Sequence, residues 1–395
     1  MFQTHWHVWL QSFFDAAWML PLMNFVSALG YEWAYVLLIV VCSFGVRLRA
    51  GLGIMMAVLL MSMATHAIKQ GAALPRPSDV DIHVLDKGRP DHALVADGAA
   101  GSFWSLPTDQ AIASLRAQPD PDYGFISGHV GVATAAMTAV VLCFGIRSAG
   151  WRIALLIGWP LLMALSRMYL GRHFLSDVLG GWLVGMALGW LAWQCLPAPA
   201  HRNRTRHLIL VTLGICVTAA ALTTAFVPAD SAGRYLGLLL VFAFLHWRGW
   251  PLDPYTAWQR IGRVMAVIGL YLVISPVLEA VAVALALPDA AVVEVVFNAI
   301  GNAAIFMGGI ALAGYGRWRR AACLGPPPSN KRRRPSRGPL AGAYFTSNSP
   351  TSTVSARSFN RSVTCWSRWS RLPHRVLRRS IKVVAPVTSC SRLPK

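Results

Sequence analysis

The stretch Trp151–Leu196, WRIALLIGWPLLMALSRMYLGRHFLSDVLGGWLVGMALGWLAWQCL, holds two apolar runs, 151–167 and 174–196. Each approaches the roughly 20 residues that a helix needs to cross a bilayer. Their joint, Ser166–Asp177 (SRMYLGRHFLSD), packs two arginines, a histidine and an aspartate into twelve residues of a chain that is otherwise short of charge. The reading of this pair of runs as two membrane helices around a polar turn sets the reading of the rest.

Further apolar runs fall at 33–46, 51–68, 130–146, 208–228, 232–247, 262–287 and 292–316. A weaker run, 8–28, is interrupted by Gln11, Asp15, Pro21 and Asn24. It reads either as another span or as an amphipathic helix in the interface, with the second the better fit. Of 395 residues, 55% are hydrophobic and 13% charged, whereas soluble domains carry about 25% charged residues. The expectation is an all-α, polytopic membrane helical bundle of nine or ten spans. It divides into a core of five or six spans over 1–200, with an exoplasmic loop at 69–129, and an additional four-helix membrane module at 206–317. A basic, disordered tail follows at 318–395.

The net charge of +20 belongs to that tail. Half of the 36 Lys and Arg follow Gly316, where there is no Asp or Glu, leaving 18 basic and 16 acidic residues before it. No nucleic-acid partner is read from this charge. Seven scattered cysteines without a C-x-x-C pair argue against a disulfide framework or a zinc site. The first residues show no basic segment ahead of an apolar core, which argues against a cleaved leader.

Arginines give the orientation. Arg47 and Arg49, Arg147 and Arg152, Arg202 to Arg206, Arg248 to Arg263, and Arg317 to Arg320 all lie in connections of one parity. The opposite parity holds the 69–129 loop, with eight aspartates, and the turn around Leu170–Arg172. By the positive-inside rule the first set is cytoplasmic and the second faces outward, as in a bacterial inner membrane with its polar turns on the periplasmic face.

Three outward segments then stand where helices meet water: Lys69–Pro77 (KQGAALPRP), Tyr123–Val130 (YGFISGHV) and the Ser166–Asp177 turn. Lys69, Arg76 and Arg167 are fixed cations, and guanidinium forks match phosphate oxygens. Ser127 and Gly128 open a helix whose free N–H groups favour an anion. His173 and Asp177, at i and i+4, share one helical face. The carboxylate can hold one imidazole nitrogen while the other faces a target. With His129 as a second proton-handling group, the set describes phosphoryl transfer without a metal or other cofactor.

Lys69-x6-Arg76-Pro77, then Ser127-Gly128-His129, then Ser166-Arg167-x5-His173-x3-Asp177 resembles the tripartite signature of the type 2 phosphatidic acid phosphatase family, which also includes vanadium haloperoxidases. The resemblance covers about 8–196. It implies an integral membrane lipid phosphatase whose partner is a lipid phosphate substrate. In it His173 attacks phosphorus, Asp177 orients His173, and His129 protonates the leaving oxygen. Lys69, Arg76, Ser127, Gly128 and Arg167 bind the phosphate. Ile126 stands where the family usually has proline, which puts the rigidity of that turn in question. Two other readings stay open: a lipid phosphotransferase, and a lipid transporter or scaffold with a vestigial core. Outside the motifs, Gly181, Gly185 and Gly189 read as a stripe for close helix packing. Arg172 reads as a ligand for a second phosphate or as an interfacial arginine. Glu279, Asn298 and Asn302 read as packing groups or as a lipid-access path.

Overall fold

Helices that are apolar on nearly every face are stable only among other helices or in lipid. The computed structural model of the chain is built from such helices. It describes residues 1–89, 93–197, 204–224, 226–251, 253–254, 256–288 and 290–312, and the backbone of 318–319. From residue 320 onward the tail expected at 318–395 lies outside the described residues.

The chain begins with α1 (His5–Phe13), α2 (Met19–Ala28) and α3 (Glu32–Val40), the last continuing through a π-helical turn, Val41–Val46. Next come α4 (Leu48–Ala72), the short α5 (Pro77–Val80) and α6 (Asp109–Arg116), then α7 (Gly128–Phe144). A hairpin follows: α8 (Ala149–Ile153) runs through a π-helical turn into α9 (Trp159–Tyr169), and α10 (Leu175–Cys195) returns. The last helices are α11 (Arg204–Thr223), α12 (Ala229–Arg248), α13 (Ala257–Ala284) and α14 (Ala291–Leu312). A two-residue antiparallel pairing joins Trp250–Pro251 to Trp318–Arg319.

Among the described residues, five helical segments are long and apolar enough to cross a membrane: Leu48–Val80, Ala149–Tyr169, Leu175–Cys195, Ala257–Ala284 and Ala291–Leu312. A sixth is the pair Met19–Ala28 and Glu32–Val46 taken as one span bent by 55°. Gly128–Phe144 and Leu208–Thr223 are shorter apolar helices. The chain is thus an all-α, polytopic bundle. The weak run at 8–28 is two helices, and one of its polar interruptions, Gln11, is paired. Buried Gln11 donates to the carbonyls of Leu85 (2.7 Å) and Tyr169 (2.9 Å) and accepts from the Leu85 N–H (3.1 Å). α1 therefore ties the long loop to the end of α9.

The core is centred on α4, whose most apolar stretch is the most buried of the candidate spans. α7 and α10 pack against it and against each other. The glycine stripe explains how closely. A Cβ on Gly181, Gly185 or Gly189 would lie 2.6, 2.4 and 2.7 Å from the carbonyl oxygens of Ser127, Gly131 and Ala135 on α7. Only a hydrogen fits there, so the two backbones touch. Gly185→Leu forces this contact apart and is expected to cost about 3 kcal/mol, the upper end for overpacking a core. Thermal unfolding in detergent should show a clearly lowered midpoint; an unchanged midpoint would contradict the contact.

Candidate active site

The closeness of α7 and α10 places the motif segments at one end of the bundle, where backbone bonds join them. Ser127 N–H donates to the Asp177 carbonyl at 3.0 Å, and Gly124 N–H donates to the Leu74 carbonyl at 2.7 Å. The second motif is thereby fastened to both the third and the first.

Asp177 sits at the third position of α10, fully buried. Its Oδ2 accepts the Phe174 N–H at 2.9 Å, capping the helix, and its Oδ1 accepts the Ser176 hydroxyl at 3.2 Å. The same Oδ2 lies 3.4 Å from His173 Nδ1, a long hydrogen bond. With Nδ1 turned to the carboxylate, Nε2 is the nitrogen left for chemistry. Burial, and then the positive charges of Arg167, Lys69 and Arg76, push the His173 pKa well below its ordinary value of 6.5. The imidazole is therefore neutral at neutral pH.

Around it are the other sequence-derived candidates. Arg167, 6% exposed near the end of α9, donates from Nη1 to Ser27 Oγ at 2.7 Å. Arg76, 7% exposed, leads into α5; its backbone N–H donates to Asp79 Oδ2 at 2.6 Å, and its Nη2 donates to Asp122. Lys69, on the last turn of α4, lies in the field of Arg76, Asp122, Asp177 and Arg167. His129 lies in the field of Arg167, Lys69, Arg172 and Arg76. Its ring stands edge-on to Tyr31, with centroids 4.9 Å apart. Ser127 caps α7 with its hydroxyl unused, and Ile126 before it is buried, so the turn is held by packing where proline would have stiffened it. A Cβ on Gly128 would meet Thr65 Cγ2 at 3.1 Å, which puts Thr65 against the α7 N-terminus.

A set of polar atoms without partners marks the centre. Among the described residues, Arg76 Nε, Arg167 Nε, His129 Nε2, Ser127 Oγ and Thr65 Oγ1 are buried and lack hydrogen bonds. Each such group costs about 1–3 kcal/mol. Most of these atoms can donate, two belong to cations, and the neighbouring helix N-terminus offers more N–H groups. A tetrahedral oxyanion would satisfy several of them together.

Arg172 has an acidic partner from the long loop. Its Nε pairs with Asp86 Oδ1 at 3.1 Å, and both side chains are nearly buried. Asp122 bridges Arg76 to Arg89, whose Nη1 lies 3.2 Å from Asp122 Oδ2. Sequence reasoning missed Asp86, Asp122, Ser27 and Thr65, which carry no local signature. Asp79 had one, since it stands two residues after a proline that opens a helix.

His7 was missed too. Fully buried, it donates from Nε2 to the backbone carbonyl of His173 at 2.9 Å and sets its ring edge-on to Phe174. Burial lowers its pKa, and the hydrogen bond to His173 opposes this, so the neutral ring keeps its proton for that carbonyl. His7→Ala leaves the carbonyl unpaired and is expected to cost about 1–3 kcal/mol, with partial recovery in His7→Gln. Thermal unfolding of the two variants measures this; equal stability of His7→Ala and the parent would contradict it.

This arrangement lies in a region shared with known proteins. Residues 48–200 match the family model of the PAP2 superfamily, a stretch that starts with α4, contains all three motif segments and ends just beyond α10. Neither the curated proteins nor the solved structures include a match to the chain. Residues 48–200 are thus similar to the PAP2 superfamily, a family of phosphatases, and the match covers less than half of the chain.

Proposed function

We propose that the protein is a membrane lipid phosphatase that acts through a phosphohistidine at His173. The supporting observation is the group of buried, partnerless atoms beside a neutral imidazole: Arg76 Nε, Arg167 Nε, His129 Nε2, Ser127 Oγ and Thr65 Oγ1. Lys69, Arg76, Arg167, the Ser127 hydroxyl and the Gly128 N–H hold the phosphate oxygens. His173 Nε2 attacks phosphorus while the bond to the leaving oxygen breaks in line, and His129 gives that oxygen its proton. Asp177 holds the His173 ring and stabilises the positive charge that forms on it. In the second half, water attacks phosphorus, His129 takes its proton, the P–N bond breaks and inorganic phosphate leaves.

The substrate is a phosphomonoester or diphosphate on an amphiphile that enters from the bilayer, of the phosphatidate, phosphatidylglycerophosphate or polyprenyl diphosphate class. With its arginine-rich connections on the cytoplasmic side, the protein sits in a plasma membrane with the site facing outward. No metal takes part. Residues 1–200 act as the catalytic core and 206–317 as an added membrane module.

Purified protein in detergent should release inorganic phosphate from such lipids with a chelator present. His173→Ala should lower kcat at least about 1000-fold, the upper end for one transition-state contact. Full activity in that variant would refute the nucleophile, and strict dependence on a divalent ion would refute the metal-free route. The depressed pKa of His173 also has a sign in the pH profile. Its neutral form persists as pH falls through 6.5, so the acid limb of kcat/KM should lie below 6.5 once substrate ionisation, near 6, is accounted for. An acid limb at or above 6.5 would contradict the assignment.

A further inference from the structure

In line with the P–N bond that forms, the leaving group of the proposed reaction lies on the far side of phosphorus from His173 and beside His129. Next to His129 is a cavity of about 750 Å³ between α3, α4, α12, α13 and α14. Its volume lies within the range of small-ligand sites. Gly30 and Tyr31 belong to its lining and also touch His129: a Cβ on Gly30 would lie 2.4 Å from the His129 ring, and Tyr31 stacks edge-on against it. His129 and the cavity are thus one residue apart.

The lining changes character with depth. Glu32, Asp230 and Arg234 line the end near Tyr31, where Arg234 pairs with Glu32 and lies 3.6 Å from Asp230. Asn302 donates to the Arg234 carbonyl at 2.7 Å, and Arg234 Nε donates to Asn298 at 3.4 Å, so these groups knit α3, α12 and α14 into a polar rim. One to two turns further along the helices the lining is Ile39, Val40, Met55, Leu59, Ile305 and Phe306. On α13 the lining positions Tyr271, Ser275, Leu278 and Ala282 form one helical stripe, whereas Val273 and Val277 are exposed and lie outside it. A polar rim beside the general acid and an apolar floor below match an amphiphile held by its head.

We propose that this cavity receives the hydrocarbon chains of the lipid whose phosphate is held at His173. α12, α13 and α14, which lie outside the 48–200 phosphatase region, then serve as its substrate wall. The assignment rests on the phosphatase reading above, because that reading places the leaving group beside His129.

The test uses the full chain in detergent with two substrates, dioleoyl phosphatidate in mixed micelles and chain-free p-nitrophenyl phosphate. Ser275→Trp and Ala282→Trp fill the cavity from half-buried positions. They should lower kcat/KM at least tenfold for the phosphatidate and leave the chain-free ester within about twofold. An equal fall for both substrates, or a fall for neither, would overturn the assignment. If the parent hydrolyses neither substrate, nor a phosphatidylglycerophosphate or polyprenyl diphosphate, the phosphatase reading has failed. The cavity is then judged by photolabelling with a phosphatidate bearing a diazirine in its chain. Label at Leu278 and Ala282 that unlabelled phosphatidate displaces and phosphatidylcholine does not supports it. Undisplaced label spread equally to Val273 and Val277 means ordinary bilayer lipid and overturns it.

Discussion

Asp177 is the pin on which the site depends. Its carboxylate holds the His173 ring, the Phe174 N–H and the Ser176 hydroxyl, and its carbonyl takes the Ser127 N–H. One buried residue thus orients the proposed nucleophile, starts α10 and fastens it to the turn that starts α7. The contact is open to it because the glycines below let α10 lie directly on α7. Packing and chemistry meet there: a larger residue in the stripe would lift the Asp177 carbonyl away from Ser127.

Two guanidinium groups and an ammonium beside this pin repel one another in a low-dielectric setting. Some of that repulsion is offset by acidic residues of the long loop. Asp122 pairs with Arg76 and Arg89, and Asp86 pairs with Arg172. The remaining charge and the unused donors favour an anion, and burial strengthens each contact with it. The N-terminal helices complete the enclosure, with His7 and Gln11 on the loops and Ser27 on Arg167.

Much of this was legible in the sequence. Apolar runs long enough to span gave the bundle, and the charges at their ends gave the candidate residues. Spacing at i and i+4 gave the His173–Asp177 contact, and the four-residue glycine period gave the α7–α10 packing. Less legible was everything fixed by contacts far along the chain. Nothing local marks Asp122 as the partner of Arg76, 46 residues away, or His7 as the support of His173, 166 residues away. The run at 8–28 reads as a poor span partly because Gln11 serves the long loop and the end of α9. The role of Asn298 and Asn302 needed their neighbours, since an asparagine in an apolar helix can serve packing or a pathway.

The central claim is that His173 carries the phosphoryl group between the lipid and water. The most direct measurement is mass spectrometry of the His129→Ala protein, quenched in base after brief exposure to a lipid phosphate, because loss of the general base should slow hydrolysis of the intermediate. The account predicts one phosphoryl group on the peptide that contains His173. Phosphate release by the parent protein with no phosphoryl group at His173, or with one on another residue, would contradict it.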